Sequence, residues 1–288
     1  MQPQQLVQEI EHLFSLPDVA VRVNQLIDAP GTASRQLSAA VQLDAGMAAT
    51  VLRLANSAWY GLPSRVDTIS RAITLIGHKA LRDLVLSTAV VTAFKGIPEE
   101  FVNMLHFWDN SIHCGVLTRA IGQHCRVQNG EHLFLAGLMH KVGRLVFYAS
   151  RPMQYRQVLH IEDKGGAALI AAEREVFGFS YAELGGALLQ AWKLPTNLQY
   201  AIALQLDPSS FPGQPNEAAM VGVASEMAFH MSPDIRDRNR ASNYVPDFSM
   251  PVLDKLGLTN TDLTGIMQIS LLQAIELIEI VNPGSIYA

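Results

Sequence analysis

Apolar residues recur at intervals of three and four along most of the chain, which has 288 residues. The clearest example is the stretch from Leu133 to Phe147, where the apolar spacing is that of a helix buried on most of its circumference. β-Branched runs such as Leu84 to Val91 continue the helical spacing of their neighbours and lack the flanking turns of a hairpin. The pattern therefore predicts an all-α protein.

Glycines, prolines and capping residues divide this pattern into separate helices. Asp44 and Ser180 can each cap the helix that follows, and Gly77 separates two helical stretches. The predicted helices are Pro3–Phe14, Asp18–Ala29, Ser34–Leu43, Asp44–Gly61, Ser70–Ile76, Lys79–Phe94, Phe101–His124, Glu131–Ser150, Met153–Lys164, Ala167–Val176, Tyr181–Trp192, Pro195–Leu206, Asn216–Met231 and Asp262–Val281.

The segment Lys95–Glu99 combines charge, glycine and proline directly after a long apolar helix, which is typical of a joint between domains. The sequence therefore predicts two helical lobes. The first, residues 1–96, is an N-terminal helical lobe, and the second, residues 97–288, ends in the C-terminal helix.

Composition limits the compartment and the partners. The formal net charge of −5 and the 16% of charged residues indicate a soluble protein without overall attraction to nucleic acid or anionic lipid. The first residues have neither the basic cluster nor the apolar core of a signal peptide, and no membrane span is predicted. We expect a cytoplasmic protein in which Cys114 and Cys125 are reduced packing residues.

The charge is unevenly distributed along the chain. Between Gly31 and Lys95, seven basic residues face three acidic ones, so this region is positive and the remainder carries the excess of negative charge. Ser70–Phe94 could form a helix-turn-helix, but its second half is too apolar to lie in a DNA groove with its outer face in water. DNA binding is therefore disfavoured.

His140 and Lys141 form the one polar pair inside the apolar stretch from Leu133 to Phe147. A buried cation needs a partner or a route to solvent, so the pair is either a site or a satisfied histidine beside a lysine directed to solvent or to a carboxylate. For His140 the structural alternative is a buried imidazole hydrogen-bonded to a helix carbonyl.

Five fragments of the chain together resemble a known family. They occur in the order LRLANSAWYG (Leu52–Gly61), AITLIGHKALRDL (Ala72–Leu84), FLAGLMHKVGRL (Phe134–Leu145), EREVFGFSYAELGGALL (Glu173–Leu189) and WKLP (Trp192–Pro195). In this order the chain resembles the HD-related output domain of bacterial signalling proteins, the HDOD family, from about Leu16 to Met231. The resemblance implies a characteristic N-terminal helical lobe followed by a lobe descended from metal-dependent HD phosphohydrolases.

The ancestral enzymes hold one or two metal ions with a histidine, an adjacent His-Asp pair and a further aspartate, because imidazole and carboxylate supply electron pairs and lower the pKa of bound water. In this chain the first histidine position is Asn110, and the pair reads His140-Lys141. Tyr181 stands where relatives have another histidine, and the last aspartate corresponds to Glu226.

Gln205-Leu206 likewise stands where some relatives carry two histidines. One histidine and one carboxylate do not make a binuclear site, and a lysine in place of an aspartate repels a cation. The sequence therefore predicts no bound metal, no cofactor and no catalytic residue.

The end of the fourth predicted helix carries Arg53, Asn56, Trp59 and Tyr60, for which two interpretations remain. They form an interaction surface, since arginine and exposed aromatic residues are enriched at interfaces. Alternatively, Asn56 satisfies backbone groups at the helix end and the two aromatic rings fill the junction between the lobes.

From the resemblance we expect a non-catalytic signal-transduction module that acts through a protein partner. The alternative is a residual metal-dependent phosphohydrolase for a nucleotide or cyclic dinucleotide, with His140 and Glu226 as remnants of the site. The sequence leaves open the partner, the oligomeric state and whether a small ligand occupies the relic cleft.

Overall fold

A computed structural model describes residues 1–10, 14–94, 96–128, 130–159, 166–207, 216–231 and 252–282. These residues form α-helices and no strand, which confirms the all-α prediction. The helices are α1 (Pro3–Ile10), α2 (Asp18–Asp28), α3 (Ser34–Gln42), α4 (Ala45–Ala55), α5 (Ile69–Ala93), α6 (Met104–His124), α7 (His132–Leu138), α8 (Val142–Ser150), α9 (Pro152–Leu159), α10 (Gly166–Phe177), α11 (Tyr181–Ala191), α12 (Thr196–Ala203), α13 (Asn216–Met231), α14 (Val252–Leu256) and α15 (Asn260–Val281).

The two helices for which the sequence names a capping residue begin where that residue predicts. The Asp44 carboxylate accepts from the backbone N–H of Met47, and the Ser180 hydroxyl accepts from that of Glu183, which satisfies N–H groups that have no partner inside the helix. Gly77 interrupts α5 with φ +84° and ψ 170°, a backbone conformation that glycine adopts without steric cost. α4 ends at Ala55, six residues earlier than predicted.

The prediction of a single helix from Glu131 to Ser150 is wrong. α7 ends at Leu138 and α8 begins at Val142, with Met139 (φ −95°, ψ 3°) and Lys141 (φ −111°, ψ 10°) outside helical values. The His140 imidazole bonds to the carbonyl of Gly137, so a side chain takes a backbone group from the helix. His140 and Lys141 therefore occupy a bend between two helices rather than the middle of one.

One hydrophobic core continues across the predicted boundary at Lys95–Glu99. α1 packs against α8 and α11, α5 against α7, and α15 against both α4 and α6. A second, smaller core lies among α6, α13, α14 and α15. The division into two lobes stays a prediction, and the two parts of the chain are joined by shared apolar packing.

The second half of α5 is a core element. Leu81, Val85 and Ala89 are fully buried there. This helix cannot enter a DNA groove without leaving the core, as the argument against a helix-turn-helix expects.

Both cysteines are free, as predicted. Cys114 is fully buried on α6 and Cys125 is partly buried at the end of that helix. Burial raises the pKa of the Cys114 thiol to about 12, so the thiol stays protonated and is a poor nucleophile.

α15 is the one helix in the described ranges that is long and apolar enough to cross a membrane by length and composition. The prediction of no membrane span did not weigh this helix. Only 28% of its most apolar window is buried in the protein. The exposed residues include Ile269, Leu271, Leu272 and Ile275.

α8 and α11 approach each other most closely at Gly143. A Cβ placed there would overlap the carbonyl oxygen of Tyr181 and lie 2.7 Å from the backbone nitrogen of Gly185. The absence of a side chain at Gly143 therefore sets the distance between these two helices. Gly265, in α15, has open space around the same position.

We expect Gly143→Ala to lower the free energy of unfolding by about 1–3 kcal/mol or more, because backbone atoms cannot yield to an added methyl group as a side chain can. The matched control, Gly265→Ala, should be neutral or stabilising by up to about 1 kcal/mol, since alanine is the better helix former. Urea denaturation followed by circular dichroism measures both. Equal stabilities of the two variants would contradict the packing described above.

Candidate functional site

The site is built around the bend between α7 and α8. Gly137 allows α7 to press against α6, since a Cβ there would lie 2.5 Å from both the Cys114 carbonyl oxygen and Thr118 Oγ1. The chain turns immediately afterwards, and the backbone N–H of Val142 donates to the Met139 carbonyl. This packing fixes the position of the two polar side chains that the bend carries.

His140 is fully buried and its Nδ1 lies 2.7 Å from the carbonyl oxygen of Gly137. Because a carbonyl only accepts, Nδ1 carries the proton and the lone pair of the neutral ring is at Nε2. Nε2 has no hydrogen-bond partner among the residues that the structure describes. The hydrogen bond to a helix carbonyl that the structural alternative expects is present, and Nε2 keeps its lone pair.

The electrostatic surroundings keep the His140 ring neutral. Burial holds the pKa of the imidazole well below its ordinary value of 6.5, and the cations of Lys141 and Arg144 act in the same direction. The hydrogen bond to Gly137 opposes them and is the weaker effect. His140 is therefore a poor general acid at neutral pH.

Lys141 crosses from the bend to α6. Its Nζ donates a hydrogen bond of 3.0 Å to Oδ1 of Asn110, and the pair is partly buried. The interpretation of Lys141 as directed to solvent or to a carboxylate missed this carboxamide. By the resemblance, Asn110 stands at the position of the first histidine and Lys141 at that of the aspartate of the HD pair. Asn110 thus accepts a hydrogen bond from Lys141.

Tyr181 is buried at the start of α11. The guanidinium carbon of Arg144 lies 4.8 Å from the centre of its ring, within the range of a cation–π contact. Burial raises the pKa of the Tyr181 hydroxyl to about 12, so a phenolate ligand is disfavoured.

A buried carboxylate beside Tyr181 was not singled out in the sequence. Glu173 is fully buried and accepts from the Tyr155 hydroxyl at 2.8 Å and from the backbone N–H of Tyr181 at 2.7 Å. The signal that could have found it is helical spacing, because Glu173 shares the buried side of α10 with Leu169 and Phe177. Its contacts join α9, α10 and α11 behind the site.

Gln205 also contacts the bend directly. Its Nε2 donates to the carbonyl oxygen of His140 at 2.7 Å and to that of Ile202 at 3.0 Å, and the side chain is buried. A carboxamide that ties the end of α12 to His140 thus stands where some relatives have a pair of histidines.

Glu226 lies on the surface of α13. Its side chain is 54% exposed, and Oε1 lies 3.5 Å from Nε2 of His230, one helical turn away. A metal ligand needs a fixed position, and among the residues that the structure describes this carboxylate contacts His230 along an exposed helix face.

The residues present do not fit a metal ion of the HD type. In the part of the chain that the structure describes, no group of three or more histidine, cysteine, aspartate or glutamate side chains could hold a metal. Of the positions that correspond to ancestral ligands, His140 offers an imidazole lone pair, while Lys141 places a positive charge beside it. No catalytic step through a metal follows from this arrangement.

Arg53, Asn56, Trp59 and Tyr60 lie at and just after the end of α4, and most of them make structural contacts. Asn56 donates to the Val66 carbonyl at 2.7 Å and accepts from the Val66 N–H at 2.7 Å. Trp59 is only 8% exposed and the Arg119 guanidinium stacks 4.1 Å from its ring centre, with Tyr60 partly buried beside it. Arg53, the charged residue among the four, is exposed to solvent.

The family model for the HDOD domain matches residues 13–208. The chain belongs to the HDOD family. An uncharacterized protein of Treponema pallidum (strain Nichols) is 23% identical over 194 residues, which are 66% of this chain and 37% of that protein. The chain therefore spans well under half the length of that relative.

Two solved structures resemble this HDOD protein over nearly their whole length. A protein of Shewanella amazonensis SB2B, provisionally named a phosphohydrolase, is 23% identical with a TM-score of 0.75, covering 96% of this chain and 97% of its own. An HDOD domain protein of unknown function from Geobacter sulfurreducens is 22% identical with a TM-score of 0.71 and the same coverage. At these identities the likeness establishes the fold.

The neutral, buried state of His140 predicts a pH dependence of stability. The unfolded ring takes up a proton near pH 6.5 and the native ring does not, so stability falls as the pH is lowered below about 6.5, by up to about 1.4 kcal/mol per pH unit. His140→Asn removes this proton uptake. Its unfolding free energy should change less between about pH 6.5 and 5 than that of the wild type.

Urea denaturation of both proteins at several pH values measures how the free energy of unfolding changes with pH. A loss of stability that the substitution causes equally at every pH does not affect this comparison. Asp83, whose pKa is raised to about 6 by burial, acts in the opposite sense but is common to both proteins. Parallel stability curves for the wild type and His140→Asn would show that the native imidazole takes up protons as freely as the unfolded one.

Restoring a carboxylate at Lys141 should not restore a metal site. In Lys141→Asp the repulsive charge is gone, but Asn110 and Tyr181 still lack strong ligand groups for a divalent ion, so we expect no tight Mn²⁺ binding. Titration calorimetry of the variant beside the wild type measures it. Tight, stoichiometric binding by the single variant would show that the remaining residues do form a metal site.

Proposed function

We propose that this HDOD protein is a non-catalytic signalling module that acts in the cytoplasm by binding a protein partner. The observation that carries the proposal is the hydrogen bond from the Lys141 ammonium to Asn110, beside the neutral imidazole of His140. Two positions that would hold a metal in an HD phosphohydrolase are here bonded to each other.

Electrostatics supports this interpretation. A unit charge about 4 Å away costs a like charge about 4 kcal/mol at an effective dielectric constant near 20, and a divalent ion would be repelled more strongly. The Lys141 charge reaches the buried side chains around the bend: it adds to the burial that lowers the pKa of His140, and it opposes the larger effect of burial that raises the pKa of Cys114. A cation at Nε2 of His140 would have to overcome this field.

The signalling part of the proposal rests on the family and on one further relative. A protein of Marinobacter aquaeolei VT8, provisionally named a signal transduction protein, is 20% identical with a TM-score of 0.66 and covers 98% of this chain and 61% of its own. Such likeness is an analogy at the level of the fold. A module without its own chemistry transmits a signal by changing what it binds.

A residual phosphohydrolase is the second candidate, and one observation favours it. The lone pair at Nε2 of His140 is buried without a partner in the described residues, which is the state that a metal-binding histidine needs. In this alternative Glu226 would supply a carboxylate, for which it would have to leave His230.

Metal content and hydrolysis distinguish the two candidates. We expect purified protein supplied with Mn²⁺ or Fe²⁺ to retain no stoichiometric metal and to hydrolyse neither a bis-aryl phosphodiester nor a cyclic dinucleotide faster than His140→Ala, because the donor set cannot fix the ion. Elemental analysis and product chromatography measure these quantities.

Turnover that is lost on chelation and is absent from His140→Ala would establish the enzyme and overturn the proposal. The binding half has its own test, a pull-down from the native host with the full chain as bait. Recovery of no specific protein partner would contradict it even if hydrolysis is absent.

A further inference from the structure

A groove of about 630 Å³ lies between the end of α4, the segment that follows it and the last turns of α15. Its lining combines apolar side chains with polar and charged ones. The volume is in the range of sites that take several side chains or a small ligand. The lining residues are Leu52, Arg53, Asn56, Ser57, Leu62, Ser64, Arg65, Val66, Asp67, Glu276 and Ile280.

The groove continues into an exposed apolar strip on α15. Ile269, Leu272, Glu276 and Ile280 follow one another at three- and four-residue intervals, so they share one side of the helix over about 16 Å. Ile269 and Leu272 are 68% and 76% exposed. Contiguous exposed apolar surface of this kind marks an interaction site more often than isolated exposed residues do.

The groove is already formed in the free protein. Asn56 holds the segment around Val66 through two hydrogen bonds of 2.7 Å, and Glu276 accepts from the backbone N–H of Ala58 at 2.9 Å. These contacts tie both walls together before any partner arrives. A preformed groove lowers the ordering cost of binding.

The two walls carry opposite charge. On the α4 side, Arg53 and Arg65 are exposed at the rim and neither is paired with a carboxylate within the described ranges, while Asp67 is the acidic residue of that wall. α15 contributes Glu276 to the lining, and this helix has no lysine or arginine. A bound helix therefore meets arginines on one flank and a carboxylate on the other.

We infer that this groove is the docking site for an amphipathic helix of the protein partner, with acidic residues on the flank that faces Arg53 and Arg65. The inference rests on the proposed function, whose partner it describes. The apolar side of the helix covers Leu272 and Ile269 and reaches Leu52 and Ile280, and its carboxylates meet the two guanidinium groups.

A membrane is the other surface that could cover the apolar strip. Helices that lie on anionic membranes carry lysine and arginine beside their apolar face. α15 instead carries Asp262, Glu276 and Glu279. The charge of this helix therefore favours a protein partner.

The test uses the full chain and a fluorescein-labelled helical peptide of about 18 residues, long enough to cover the strip, with leucines on one face and glutamates on one flank. A second peptide has lysine in place of glutamate, and a third has the glutamate composition in scrambled order. Fluorescence anisotropy measures binding. Because Glu276 on the α15 side already accepts from the Ala58 N–H, we expect the glutamate peptide to bind with micromolar affinity and at least about tenfold more tightly than either of the others.

The double variant Arg53→Glu/Arg65→Glu should weaken this binding by about tenfold or more. The matched control, Arg35→Glu/Lys79→Glu, changes charge equally at exposed positions outside the groove and should bind as the wild type does. Leu272→Ser should weaken binding of the peptide without affecting its preference for glutamate over lysine. Circular dichroism establishes that each variant is folded.

Failure of the glutamate peptide to bind, equal binding of the lysine or scrambled peptide, or an equal loss in both double variants would overturn the inference. Cosedimentation with phosphatidylserine vesicles that is lost in Leu272→Ser would also overturn it, in favour of a membrane. If the partner recovered by pull-down binds Arg53→Glu/Arg65→Glu as it binds the wild type, the inference fails while the proposed function stands.

Discussion

The hydrogen bond between the Lys141 ammonium and the Asn110 carboxamide is the contact on which the proposed function rests. The resemblance to HD phosphohydrolases puts their cation site at the bend between α7 and α8, where this protein has the positive charge of Lys141. An amide oxygen solvates that charge without a net negative charge of its own. Burial, reinforced by the same positive charge, keeps the His140 imidazole neutral.

Close backbone packing holds this arrangement in place. Gly137 brings α7 against α6, which carries Asn110, and Gly143 brings α8 against the start of α11. The amide of Gln205 then ties α12 to the carbonyl of His140. These close backbone contacts fix the positions from which the Lys141 and Asn110 side chains meet.

The sequence predicted most helices, because apolar spacing and capping residues such as Asp44 are local properties. It failed at Glu131–Ser150, where a side chain, His140, takes the backbone carbonyl of Gly137 and the bend residues 139–141 include no glycine or proline. The resemblance to the family identified which ligand positions are substituted. It could not predict that Lys141 contacts Asn110. That contact depends on the packing of α6 against α7, and no pattern within either helix encodes it.

Diffraction from crystals soaked in Mn²⁺, with anomalous data collected near the manganese edge, tests the central claim most directly. The account predicts no anomalous peak within bonding distance of His140 Nε2, with Lys141 Nζ still bonded to Asn110 Oδ1. A manganese peak about 2 Å from Nε2, with Lys141 displaced from Asn110, would contradict it.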